Sequence, residues 1–312
     1  MKIAGVNIQK GETKLINANI AKLPTRTEID IPIYVSRATK DGPVLMISGG
    51  LHGDEINGVE TVRRIIVNNY HIPTAGTVIC IPIINIYGFI NFSRQVPDGK
   101  DVNRSFPGSA TGSLAGRVAH FLMNEVIEWI DFGIDFHTGG ARINNYPQVR
   151  VNMADEKSAE LAKAFAPPFI INSPYRDKSL RKEAAKKAKA ILVFEAGESA
   201  RLRKSAIDEG VEGAQRVMKH LKMRDSAATQ NKQTVVISKS TWIRARSAGI
   251  HHSRVRNGEF VKKNELIGFI TDPFGEFETE IKSHVDGYII AINNNPVVNR
   301  GDALIHVGIA DN

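Results

Sequence analysis

Residues 44–60 read VLMISGGLHGDEINGVE, and the turn in the middle of this stretch decides how the chain is built. Val44–Ile47 is a short apolar run of the kind that forms a buried strand. Glycines 49, 50 and 53 allow a tight backbone turn. Helical periodicity then starts at Asn57 and predicts a helix to Tyr70. His52 and Glu55 sit three residues apart between strand and helix. A solvated turn that caps a helix would use such residues, and so would a pair of metal ligands. Taken alone, the spacing leaves both open.

The same strand–turn–helix grammar recurs. Thr77–Ile83, Phe132–Phe136 and Ala190–Phe194 read as further buried strands, and Gly112–Ile130, Asp155–Phe165 and Ser205–Lys222 as helices. This alternation predicts an α/β unit with a mixed central sheet flanked by helices. The first forty residues, including RTEIDIPIYVSRA (26–38), alternate apolar and polar positions and suggest edge strands. After the polar stretch 222–233 helical periodicity stops and short strands with turn residues take over. The expected division is a unit over 1–225 and a small all-β unit over 226–312. NGEFVKKNELIGFI (257–270), SHVDGYII (283–290) and NPVVNRGDALIHV (295–307) resemble the barrel-sandwich of biotinyl and lipoyl carrier domains. Lys282, in EIKSHVDG, matches their attachment lysine poorly. A structural, covering or oligomerising role suits the unit better.

Ligands of an α/β sheet gather at the carboxyl ends of its strands. Here His52 and Glu55 follow one predicted strand, RQVPDGKDVNRSFPG (94–108) comes shortly after a second, His137 ends a third and Glu195 ends a fourth. Hydrolytic zinc takes three His or carboxylate ligands and keeps a position for water. His52, Glu55 and His137 form such a His2Glu set, two close in sequence and one distant. Asp135 shares a strand face with His137 and is placed to orient an imidazole from behind. Glu198 rivals Glu195 as the strand-end acid, Tyr175 lies in the approach to it, and His251 and His252 read as surface residues of the β unit.

Bulk properties narrow the classes. The 312 residues carry 41 Lys+Arg against 33 Asp+Glu, a net charge of +8, and 42% are hydrophobic. The surplus suits a small anionic substrate. The densest basic cluster, Lys178–Lys189, has the alanine spacing of a solvated helix face, and no nucleic-acid motif accompanies it. No apolar run is long enough for a membrane span, and the amino terminus lacks the apolar core of a secretory signal. The single cysteine, Cys80, sits in an apolar run and has no internal partner. The expectation is a cytoplasmic protein without nucleic-acid or membrane partners. A homo-oligomer is left open.

GGLHGDEINGVE (49–60), RQVPDGKDVNRSFPG, DFHTGG (135–140) and VFEAGE (193–198) together resemble the succinylglutamate desuccinylase/aspartoacylase family, over about residues 40–220 and in the right order. The resemblance implies a zinc carboxypeptidase-like fold and one Zn2+ per chain, held by His52, Glu55 and His137. It implies Glu195 as the catalytic carboxylate, Arg94 as the transition-state arginine, and Asn103 with Arg104 as the pair that holds a substrate carboxylate. The activity implied is removal of an N-acyl group, succinyl, acetyl or similar, from an amino acid or related small carboxylate by metal-activated water. A metallocarboxypeptidase acting on peptides is the alternative that shares this chemistry.

Overall fold

The computed structural model describes residues 1–230 and 233–310; residues 231 and 232 of the expected linker, and 311 and 312 of the expected β unit, lie outside the described residues. The four buried strands expected from sequence are neighbours at the centre of one large sheet, in the order Thr77–Ile81, Val44–Gly49, Phe132–Gly139, Ala190–Glu198, and all four are parallel. Parallel strands share one carboxyl edge, so residues beyond their ends meet even when far apart in sequence.

Side-chain alternation along these strands builds two cores. Leu45, Ile47, Val78 and Cys80 face one layer, where they meet Val62 and Ile65 of the helix Ile56–Val67, Leu161 and Phe165 of Glu156–Phe165, and Val217 of Lys204–His220. Met46, Ile79 and Ile81 face the other, against Val118 of the helix Leu114–Phe121 and Leu180 of Leu180–Ala185. Each such side chain fully removed from water contributes about 1.5–3 kcal/mol. The mixed α/β architecture expected from sequence is therefore present, with helices on both faces.

Several boundaries differ for identifiable reasons. The second strand stops at Ile81 because Pro82 has no N–H to continue the ladder. The helix expected over 112–130 begins after Ser113, whose hydroxyl accepts from Gly116 N, and widens into a π turn at Leu122–Val126. That turn lets Leu122, Met123, Val126, Ile127 and Ile130 all be buried. The basic cluster is only partly a solvated face, since Arg181 and Glu183 of its helix are buried. Thr13–Lys22 lies at the sheet edge, while Glu28–Arg37 lies one place inside it.

The carboxyl-terminal strands do not stand apart. Val235–Arg244 pairs in parallel with Phe169–Asn172, and Gly287–Asn293 pairs with Ile143–Val151, placing Ala291 opposite Asn145. These extend the central sheet to twelve strands among the described residues. A second sheet, Glu278–Lys282, Leu266–Thr271, Gly249–Ser253 and Val297–Val298, closes over Ile243, Ile267, Ile289, Leu304 and Ile305 as a sandwich. His251 turns into this sandwich and is buried, contrary to the surface position expected, whereas His252 is exposed. Lys282 is an exposed partner of Glu280. Among the described residues, no helix is long and apolar enough to cross a membrane.

Asp155 ties a helix start to the segment that approaches the site. Its carboxylate accepts from Ser158 N at 3.3 Å, Ser158 Oγ at 2.9 Å and Tyr175 Oη at 2.7 Å. Asp155→Ala should lower unfolding free energy by about 1–2 kcal/mol, the usual cost of losing such a cap, read as a shift in the urea midpoint at unchanged slope.

Candidate metal centre and cavity

The turn after Val44–Gly49 is forced against its neighbour. Gly50 has φ +60°, and a Cβ on Gly53 would lie 1.8 Å from the carbonyl carbon of Gly88. Only glycine fits at 53 without moving backbone. The turn delivers His52 and Glu55 to the carboxyl edge, where the neighbouring strand supplies His137. The three side chains are 3%, 2% and 4% exposed, too dry for polar groups without strong partners.

Their atoms converge. Glu55 Oε1 lies 2.7 Å from His52 Nδ1, Glu55 Oε2 lies 2.8 Å from His137 Nδ1, and the two Nδ1 atoms are 3.2 Å apart. Thr138 N donates to Glu55 Oε2 at 3.1 Å. Behind the rings, His137 Nε2 meets Asp135 Oδ2 at 2.7 Å, and Asp135 Oδ1 accepts from Ser48 Oγ at 2.8 Å. His52 Nε2 faces Asp101 Oδ1 at 3.3 Å, off the angle of a good hydrogen bond. With the His137 Nε2 proton directed at Asp135, its Nδ1 presents a lone pair to the point that His52 Nδ1 also faces.

Burial opposes charge on these groups, but their mutual fields prevail. Burial works to lower the His137 pKa, yet Asp135 and Glu55 raise it well above the ordinary histidine value. His52 is raised in the same way by Glu55 and Asp101. Glu55, despite burial, is held far below the carboxylate range by the two imidazoles. Such a set is built around positive charge. One ligand atom from each residue lies within 4.8 Å of the others. A tetrahedral ion with bonds of about 2.0–2.1 Å separates its ligand atoms by about 3.3 Å, close to the Nδ1–Nδ1 distance here. The three residues thus fit a divalent cation.

The other residues expected at the site line the same cavity of about 330 Å³. Arg94 places Nε and Nη2 3.0 and 2.9 Å from Asp101 Oδ2, and its Nη1 reaches 3.2 Å from Glu55 Oε1. Glu195 sits opposite His137 in the parallel register, and its Oε2 accepts from Asn145 Nδ2 at 2.8 Å. The strands of His137 and Glu195 both run past the expected ends, to Gly139 and Glu198, so both side chains project from within the ladder. A register break between Glu195 and Glu198 reorients the backbone beyond Glu195. Asn103 Oδ1 accepts from Leu180 N at 2.9 Å, leaving its amide NH2 to offer, and Arg104 Nη1 donates to Asn103 O. Glu198 is outside the cavity lining, bound by Asn294 at 2.7 Å. Tyr175 is also absent from the lining, and its hydroxyl is spent on Asp155.

Sequence reasoning missed Asn145, Arg150, Trp242 and His306, which also line the cavity. The first two lie on Ile143–Val151, a strand not anticipated, and the last two come from the carboxyl-terminal sandwich. No local pattern in the chain announces any of them.

Fold and site together define a mixed α/β protein with a three-residue centre suited to a divalent cation, at the carboxyl ends of parallel strands. The chain belongs to the succinylglutamate desuccinylase/aspartoacylase family, whose catalytic-domain description matches residues 41–221. Over 147 residues it is 30% identical to the N-alpha-acetyl-L-2,4-diaminobutyric acid deacetylase of Halomonas elongata, a match spanning 45% of this chain and 43% of that protein. Its fold is similar to a succinylglutamate desuccinylase/aspartoacylase from Rhodobacter sphaeroides, with TM-score 0.84, 22% identity and 97% of each chain covered. The ectoine utilization protein EutE of Ruegeria pomeroyi, in a product-bound structure, is similar at TM-score 0.85, 18% identity and 97% of each chain.

Gly53→Ala should displace His52 and Glu55 while leaving the sheet intact. The expected result is near-native circular dichroism with affinity for an added divalent cation weakened at least about tenfold in a titration, since second-sphere displacement alone costs about 10–100-fold in affinity.

Proposed function

We propose that the protein is a zinc-dependent amidohydrolase that removes an N-acyl group from an amino acid or related small carboxylate. The observation that carries this reading is the placement of Glu195 in one cavity with the His52–Glu55–His137 set, beside two arginines expected to serve substrate. Membership of the family supports the reaction class. In this reading the chain divides at about residue 225, the first part catalytic and carboxypeptidase-like in its sheet, the second a β sandwich that walls the cavity.

His52, Glu55 and His137 would hold the ion, which when bound acidifies a water molecule and polarises the acyl carbonyl. Glu195 takes a proton from the attacking water and returns it to the leaving amine, so that the amide C–N bond breaks to an acid and an amine. Asn145 fixes one Glu195 oxygen at 2.8 Å and leaves the other for that transfer. Arg94, anchored by Asp101, directs Nη1 toward the ligand set and is placed to stabilise negative charge developing on the acyl oxygen. Arg104 and the Asn103 amide grip the carboxylate of the amino-acid half. Trp242 and His306 at the wall favour a small substrate over an extended peptide.

Purified protein should bind about one zinc per chain, and Glu195→Gln should keep the metal while losing at least about 10²-fold in deacylation rate. Retained turnover in a panel of N-acyl amino acids would remove Glu195 from the role. Arg104→Ala should raise KM about tenfold or more for substrates with a free α-carboxylate and much less for their methyl amides; equal losses on both would dissolve the carboxylate clamp.

A further inference from the structure

We infer that Glu198, clamped by Asn294 of the carboxyl-terminal sandwich, is a positioning residue that fixes the break in strand register from which Glu195 is aimed into the cavity. The inference rests on the deacylase reading, in which Glu195 carries the proton, and concerns what holds that carboxylate in place.

The contacts of Glu195 itself do not fix its aim. Among the described residues its carboxylate has one hydrogen bond, from Asn145 Nδ2 at 2.8 Å, and Arg150 Nε stands off at 4.0 Å. The rest of its orientation comes from the backbone, and that backbone is irregular. Glu195 lies opposite His137 and Glu198 opposite Gly139, so three steps on one strand match two on its neighbour. An extra residue of this kind bends a strand and re-aims the side chains beside it. On the other side Glu195 lies opposite Gln148 and Gly197 opposite Asn145. The residue that holds the carboxylate is therefore itself paired with the irregular segment.

That segment is pinned at several points. Gly197 has φ +77°, and a Cβ there would lie 2.5 Å from Asn57 Nδ2. Glycine lets the segment close on the helix Ile56–Val67, which follows the ligand turn. Asn57 Oδ1 accepts from Arg203 N at 2.8 Å, Ala200 N donates to Asp54 O at 2.8 Å, and Ser199 N donates to Gly139 O at 3.0 Å. The sandwich adds a tie of its own. Glu198 Oε2 accepts from Asn294 Nδ2 at 2.7 Å, while Asn294 N donates to Arg142 O at 2.9 Å. Asn294 thus joins Glu198 to the turn that opens Ile143–Val151, the strand of Asn145.

Glu198 is a costly residue where it stands. Its side chain is 7% exposed, and Arg201 Nε, the cation near it, is 3.7 Å away on a largely exposed side chain. A buried carboxyl group is tolerated only where it is hydrogen-bonded, and an apolar side chain would fill the space without that cost. Glu198 is also outside the cavity lining, so contact with substrate does not account for it. What it does have is a short bond across the boundary between the two parts of the chain, three residues beyond Glu195.

The test measures kcat, KM and bound zinc on the same zinc-loaded preparations, with N-acetylalanine, N-acetylglutamate and N-succinylalanine as probes. Glu198→Ala and Asn294→Ala, the latter in an exposed turn, should each lower kcat about tenfold or more while KM and zinc content stay within about twofold of wild type, since a misplacement of about 1 Å costs up to about 10²-fold. Glu198→Gln, whose amide oxygen still accepts from Asn294, should recover most of the loss. The double variant should be no slower than the slower single, the sign of one shared interaction. A lower melting temperature with unchanged kcat per bound zinc would make Glu198 a stabilising residue only and overturn the inference. A Glu198→Gln variant as inactive as Glu195→Gln would overturn it too, by making Glu198 the proton carrier. Should Glu198→Ala fail to fold, Asn294→Ala decides alone. If no probe is hydrolysed, the deacylase reading falls, and a crystal structure of Asn294→Ala decides the clamp. The Glu195–Asn145 contact should open beyond about 3.5 Å, past hydrogen-bond range; its retention at the wild-type distance would remove the clamp.

Discussion

The Glu55 carboxylate, buried and shared between two imidazoles, is the constraint around which the molecule is arranged. An ionised acid at 2% exposure is tolerable only with strong partners on both oxygens. It has them: His52 on one side, His137 and Thr138 N on the other. His52 and Glu55 share one tight turn, but His137 is more than eighty residues away. Meeting that demand requires adjacent parallel strands cut to matching lengths, with Ser48 opposite Asp135 in register. The Ser48–Asp135 hydrogen bond then couples the register itself to the orientation of the His137 ring.

The carboxyl-terminal strands extend that logic from the ligand set to the rest of the cavity. Ile143–Val151 lies between Ala190–Glu198 and the sandwich strand Gly287–Asn293. It carries both Asn145, which holds Glu195, and Arg150. Gln148, on the same strand, donates to Ile290 O, and Asn257 donates to Asn144 O. The sandwich is thus hydrogen-bonded to the strand that positions the carboxylate, and its own Trp242 and His306 complete the wall. The carboxyl-terminal strands Val235–Arg244 and Gly287–Asn293 thus continue the central sheet, while the second sheet packs over them.

The legible parts of the sequence share a physical cause. Buried parallel strands are short apolar runs bounded by Gly or Pro, and all four central ones were readable from that pattern. Residues at their ends were readable because topology, not contact, brings strand ends together. His52, Glu55, His137, Arg94, Asn103, Arg104 and Glu195 accordingly share one cavity. Ile143–Val151 was not readable, because INNYPQVRV alternates around polar residues and a proline, and its burial comes from neighbours on both sides. The π turn at Leu122–Val126 was hidden because period-3.6 patterning and a one-residue widening look alike over a single turn. His251 was misread because a His-His pair on a strand must send one ring inward, and the pair gives no sign of which.

The charge surplus also needs to be relocated. A net +8 suggested an anionic substrate, and the most basic stretch, 178–189, was the visible source. Yet Lys182 pairs with Asp177, Lys186 with Glu183 and Lys187 with Glu128. Exposed pairs of this kind contribute little to stability, but they cancel the field that an anion would feel from that face. In the cavity the balance is different. Its acids are tied to imidazoles or to an amide, while Arg150 keeps a guanidinium without a hydrogen bond behind low-dielectric walls, where a charge acts more strongly than at the surface. The field inside the cavity is therefore set by which of its charges are left uncompensated, and the total count is a poor guide to it.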